Sequence, residues 1–242
     1  MARRAAYLLD ASQLHKPAVT VAGAYEFMHR TGNLPSAAFL QAMCESFSHM
    51  QYDIGVLSKQ EQAVFTSLNI ASPKGWMTHD DHPIRLWDVG DGHTVAFVFL
   101  PSLPSSTALV SGAIRNKVVK LMEQALSQSN LVVALSDWGG RAERDYLSSI
   151  EDEPCPDIFL GSGSGSGVVG LVIAHGRVYY VRSYEKGKAV NRISILAWPR
   201  KKKAFEWVRK KNIVSDLIVL DDSFTESLII NQIFSKVDLS NN

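Results

Sequence analysis

The chain has 242 residues, 46% of them hydrophobic and 20% charged, and 25 basic residues against 24 acidic ones leave a formal net charge of +1. That composition excludes a fibrous or disordered protein and fits a globular chain long enough for one large domain; near-neutrality excludes an overall field that draws nucleic acid or anionic lipid. The longest apolar runs, Leu131 to Leu135 and Val168 to Ala174, fall far short of the roughly 20 residues of a membrane span, so no membrane partner is expected.

In chain order, Ala6, Leu8, Leu9 and Leu14 recur at helical spacing from Ala2 to His15, where Pro17 closes the helix. Asp10 and His15 interrupt the apolar run after Arg3 and Arg4, so this stretch reads as fold rather than signal peptide. Ala18 to Ala22 reads as a strand ending at Gly23, with a loop to Pro35. Ser36 caps a helix carrying Phe39, Leu40, Met43 and Phe47, Tyr52 to Leu57 is strand-like, and Ser58 and Glu61 stand at capping-box spacing. Ile84 to Leu100 reads as a hairpin turned at Gly90 to Gly92, Ala108 to Ser129 as a helix, Leu131 to Leu135 as a buried strand and Arg141 to Ser149 as a helix. Asp157 to Leu160 is a short strand, Gly161 to Gly167 a glycine and serine tract, and Val168 to Val181 a hairpin turned at His175 and Gly176. Strand character follows at Ile193 to Trp198, then a basic helix from Arg200, a strand at Leu217 to Leu220, and a helix capped by Ser223 and Glu226. Alternating crossovers and hairpins make an α/β protein with mixed sheets. No composition shift marks a boundary, so residues 200–242 read as an extension packed on a domain of residues 1–199.

Several motifs weaken in context. Gly165, Gly167 and Gly170 spell a dinucleotide fingerprint, but a hairpin follows where pyrophosphate needs a helix N-terminus; the loop keeps backbone donors for an anion. His79, Asp80, Asp81 and His82 are consecutive in a loop, a spacing that rarely converges on one ion. No G-x-S-x-G elbow supports a serine hydrolase. Arg200 to Lys203 and Arg209 to Lys211, with Phe205 and Trp207 between them, form a basic amphipathic helix, read as packing its aromatic face rather than gripping nucleic acid. Cys44 and Cys155 are too few for a disulfide framework or a cysteine-based zinc site, and a reducing cytoplasm is the expected compartment.

Three stretches resemble, in order and approximate spacing, signature regions of the metallophosphoesterase superfamily in its 5′-nucleotidase and UDP-sugar hydrolase (UshA-like) branch: Tyr52 to Glu61, Leu131 to Gly140 and Pro156 to Gly165. The resemblance spans Ala2 to Trp198 and implies a four-layer α/β/β/α sandwich. In that family, Gly-Asp, "GNHE", "LSHxG" and "GHSH" motifs hold two metal ions that activate water on a phosphate ester. Here Gly-Asp falls on Gly23 and Ala24, and "GNHE" on Ser58, Lys59, Gln60 and Glu61. "LSHxG" falls on Leu135, Ser136, Asp137, Trp138 and Gly139, and "GHSH" on Gly161, Ser162, Gly163 and Ser164. The first Asp-x-His motif would stand ahead of Ala2.

The resemblance therefore implies a scaffold without its dimetal ligands, as in the UshA-like (seleno)protein group. The expected function is a non-catalytic binding protein without a metal or other cofactor, taking a phosphate-bearing or other small anion. Candidate ligand-binding residues are Lys59, Glu61, Ser136, Asp137, Gly161, Ser162, Gly163 and Ser164. Two alternatives stand beside it: a phosphoesterase with a rearranged metal site built from Asp137, Glu61 and His79, His82 or His175, and nucleic-acid contact through residues 200–211. A missing first strand would expose a sheet edge that a second copy of the chain covers.

Overall fold

The computed structural model describes residues 1–14, 17–28, 34–104, 108–150, 152–184, 187–199 and 205–237. Helix α1 (Ala2–Leu14) leads to β1 (Val21–Ala22), α2 (Ala37–Met50), β2 (Ile54–Val56), α3 (Lys59–Ser67) and β3 (Trp76–Met77). The hairpin β4 (Ile84–Gly90) and β5 (His93–Phe99) precedes α4 (Gly112–Gln128), β6 (Leu131–Ser136), α5 (Gly140–Ser149) and β7 (Ile158–Gly161). A second hairpin, β8 (Val168–Ile173) and β9 (Val178–Arg182), is followed by β10 (Ala189–Ile195), β11 (Ile213–Val219) and α6 (Leu228–Ser235). Helix starts obey the expected side-chain chemistry: the Ser36 hydroxyl accepts from Phe39 N–H, and Ser58 and Glu61 close a full capping box.

Six strands form one mixed sheet in the order β4-β5-β6-β7-β9-β8, parallel from β5 to β9 and antiparallel at both edges. Strands β1-β2-β3 make a parallel sheet, and β10-β11 an antiparallel pair. The two-residue period of a strand then assigns the layers. Ala96 and Val98 of β5, Val132 and Ala134 of β6, and Val178 and Tyr180 of β9 pack with Val118, Met122, Ala142 and Tyr146 of α4 and α5. Their sequence neighbours Phe97, Val133 and Tyr179 face the other way, onto Ile54 and Val56 of β2 and Ile193 and Ile213 of β10 and β11. Beyond the small sheet, Ala22 and Trp76 join Leu40, Met43, Phe47, Phe65 and Ile230 in a third core under α1, α2, α3 and α6. Helices, two smaller sheets, the large sheet and helices are the four layers that the motif order implied.

The C-terminal region departs from expectation. Residues 200–204 of the expected basic helix lie outside the described residues, and residues 205–212 are loop, bridge and turn. Trp207 explains the extended course: it is buried between the sheets, its N–H donates to Gly176 O at 2.7 Å and its ring Nε1 to Asp157 O at 2.8 Å. Those contacts require a stretched chain, which overrides helical periodicity. Helix α6 is capped by Ser227, not Ser223, whose hydroxyl is turned onto Asp221. Strands β10 and β11 begin four residues earlier than expected because they pair with each other from Ala189–Val219 to Ile195–Ile213.

Candidate functional site

The carboxyl ends of β1, β2, β6 and β7 converge; of the residues predicted from sequence, Ser136 and Gly161 end β6 and β7, Asp137 and Ser162 to Ser164 stand on the loops that follow them, and Lys59 and Glu61 lie in the first turn of α3. Glu61, 1% exposed, is the hub of the small-sheet side. Its Oε2 accepts from Ser58 N and Ser58 Oγ, each at 2.9 Å, and from Tyr25 N at 3.0 Å, while Oε1 accepts from Phe27 N at 3.0 Å. The loop after β1 is thus folded over the carboxylate. Burial pushes the Glu61 carboxyl from 4.5 up to about 7, against the hydrogen bonds of Phe27, Ser58 and Tyr25 that hold it down.

Ser162 joins the two sheets. Its hydroxyl donates to Ser136 O at 2.5 Å and accepts from Ala24 N at 3.0 Å. A Cβ on Gly23 would stand 2.7 Å from Ser162 Cβ, so this close approach needs glycine. Gly163, at φ +81°, lies under the Tyr25 ring. Asp137 is 8% exposed and its Oδ2 accepts from Ser102 Oγ at 2.7 Å. Lys59 is apart from these: it projects into solvent and pairs with Asp80 at 3.3 Å, both about 60% exposed.

Beneath the Ser162 to Ser164 loop is a polar cluster that the motifs did not reveal. Arg182 and Glu143 are both fully buried and pair at 2.6 Å. Glu143 also accepts from Tyr180 OH at 2.8 Å and from Ser136 Oγ at 3.1 Å. Arg182 donates further to the carbonyls of Ser162, Gly163 and Ser164, which fixes the loop's path. Burial pushes the Glu143 carboxyl up, with Arg182 the foremost of the groups that oppose it, and burial likewise raises the Tyr180 hydroxyl. The only sequence signal was a charged residue closing the apolar run Val178 to Val181.

Of the eight predicted residues, the structure gathers Glu61, Ser136, Asp137 and Gly161 to Ser164 through Ala24 and Tyr25, and leaves Lys59 outside. The histidines invoked for a rearranged metal site do not join them. His79 Nδ1 is 2.7 Å from Phe99 O, Asp81 is turned back onto Thr78, and His175 is exposed on the β8–β9 turn. Among the described residues, no three His, Cys, Asp or Glu side chains are grouped to hold a metal ion. The arrangement offers donors and a carboxylate for hydrogen bonding, and its interior acids are occupied by backbone N–H groups and by Arg182. No helix among the described residues is long and apolar enough to cross a membrane.

No family model and no curated protein matches the chain. Solved structures do. The 5′-nucleotidase precursor of Thermus thermophilus is 14% identical with a TM-score of 0.60, over 97% of this chain and 52% of that one. The calcineurin-like phosphoesterase YfkN of Bacillus subtilis is 13% identical with a TM-score of 0.57, over 97% of this chain and 87% of that one. The NAD nucleotidase NadN of Haemophilus influenzae is 11% identical with a TM-score of 0.58, over 97% of this chain and 49% of that one. The chain spans about half the length of the two nucleotidases. What it shares with all three is its architecture: this is a metallophosphoesterase-like fold.

Proposed function

We propose that the chain is a non-catalytic member of the metallophosphoesterase fold, close to the 5′-nucleotidase and UDP-sugar hydrolase branch in motif order, that binds a small anion. The observation that carries the reading is the state of Glu61. Of the two acids among the eight candidate positions, it is the more buried, and it is spent on four hydrogen bonds with Tyr25, Phe27 and Ser58. A pair of divalent cations needs several imidazoles and carboxylates converging with their lone pairs open. Ala24, Lys59, Gln60, Ser162 and Ser164, at positions where the family's motifs carry Asp, Asn and His, do not fit such a pair. The exposed Ser164 on the loop after β7 supplies a hydroxyl donor that suits an anion, while Lys59, paired with Asp80, stands outside the group.

The test is metal content by elemental analysis of protein purified without chelators, beside hydrolysis of a generic phosphodiester with added manganese. The expected result is metal far below one ion per chain and no turnover above buffer. Near-stoichiometric metal with turnover would overturn the proposal.

A further inference from the structure

Along the open edge of the small sheet, between β3 and the side chains of β4, runs a groove of about 1400 Å³. That exceeds the about 300–1,000 Å³ of a drug-sized site, so the groove suits a chain of linked units rather than a single ring. Its floor is aromatic: Trp76 packs edge-on against Phe47 and Tyr52, with ring centroids 4.8 and 6.2 Å apart. Trp87 of β4 forms the facing wall, with the Arg85 guanidinium laid over its ring at 5.0 Å and Arg85 Nη1 donating to Asp53 O at 3.1 Å. None of Glu61, Ser136, Asp137 or Gly161 to Ser164 lines it.

The polar lining is made of groups that both donate and accept. Gln51, Gln62, Asn69 and Ser72 line the groove, and their side chains make no hydrogen bond among the described residues. The backbone holds two of these carboxamides in place: Gln51 and Asn69, just past α2 and α3, have positive φ, +54° and +51°, where glycine is the relaxed choice. Asp53 and Asp81 offset Lys74 and Arg85, with His82 the one further basic group, so no strong field draws a polyanion into the groove. A peptide strand finds no ladder there either. The Gly75 and Met77 carbonyls accept from Gly55 N and Leu57 N, and the N–H groups on the open side are already taken, Trp76 N by Pro73 O at 3.2 Å and Thr78 N by Asp81 Oδ2 at 2.9 Å.

We infer that this groove binds a neutral oligosaccharide. A sugar hydroxyl both donates and accepts, as a carboxamide does, so neighbouring hydroxyl groups can pair with Gln51, Gln62 and Asn69. Arg85, held flat on Trp87, adds a planar fork: its Nε and Nη2 have no acceptor among the described residues. The apolar C–H faces of the sugar rings lie against the half-buried rings of Tyr52 and Trp87. At about 30 Å³ per non-hydrogen atom the groove takes about four such rings. The site is separate from the strand-end residues and stands whether or not those bind an anion or a metal.

Isothermal titration calorimetry with cellotetraose, maltotetraose and chitotetraose, beside glucose, a heparin tetrasaccharide and tetra-alanine, tests this. One-site binding of at least one neutral tetrasaccharide is expected, with glucose weaker by about tenfold or more. Three variants each remove one carboxamide: Gln51→Gly, Asn69→Gly and Gln62→Ala. Glycine suits the left-handed backbone of Gln51 and Asn69, and alanine improves helix propensity at Gln62 inside α3, so all three are expected to melt no lower than the parent. Each is expected to weaken binding of that tetrasaccharide by about tenfold, a loss that loss of fold does not explain. The inference is overturned if no neutral tetrasaccharide saturates, if glucose binds as tightly as they do, if the heparin fragment or tetra-alanine binds more tightly than all three, or if the three variants bind like the parent.

Discussion

Two buried acids carry the molecule's internal electrostatics, and each is testable by itself. Glu61 titrates near 7 in the folded chain and near 4.5 once unfolded, so between those values the unfolded chain has released a proton that the fold retains. Stability is therefore expected to fall as pH rises through that window, by up to about 1.4 kcal/mol per pH unit, and to level off above it. Urea midpoints measured from pH 4 to 8 should show that slope in the parent and lose it in Glu61→Gln. Replacing Arg182 by Met leaves Glu143 buried without its cation and is expected to cost about 3–5 kcal/mol in urea titrations. Adding Glu143→Leu should restore part of that loss. These two acids also differ in how far sequence discloses them. Ser58 and Glu61 are three residues apart in one strand-to-helix step, so their capping box is local and readable. Glu143 and Arg182 lie in separate elements 39 residues apart, and only the closed sheet brings them together.

At the scale of elements, legibility followed length. Helices α2, α4 and α5 and both hairpins of the large sheet repeat their apolar period often enough to declare themselves, whereas β1 and β3, two residues each, exist only through pairing with β2. Gly55 shows why that small sheet is sensitive: the Trp76 ring occupies the space a Cβ would need. Gly55→Ala is expected to cost about 1–3 kcal/mol in thermal melts, while Gly112→Ala, in open space at the start of α4, should be near neutral. The segment after residue 204 misled because Phe205, Trp207 and Val208 have a spacing compatible with a helix face. The partners of Trp207, Asp157 and Gly176, are placed by the large sheet and its hairpin turn, and no local pattern announces such anchoring. The site was legible as positions and not as chemistry: the motif order located the strand ends, but it gave no sign that Tyr25 would close over them.

Across the whole molecule, three cores are stacked through shared strands. Each residue pair such as Ala96–Phe97 or Tyr179–Tyr180 contributes to two of them, so no layer can separate without stripping a strand of one face. Unfolding is expected to be a single transition, with far- and near-ultraviolet circular dichroism giving coincident urea curves. Separated curves would show that the helices over the small sheet melt independently. The distribution of tryptophan makes a finer experiment possible. Trp76 is buried under the first helix layer, Trp207 between the sheets and Trp138 against α5, at 6%, 2% and 1% exposure. Each interlayer space therefore holds its own intrinsic fluorophore, and three single-tryptophan variants would let stopped-flow emission record the order in which the layers dry out as the chain folds.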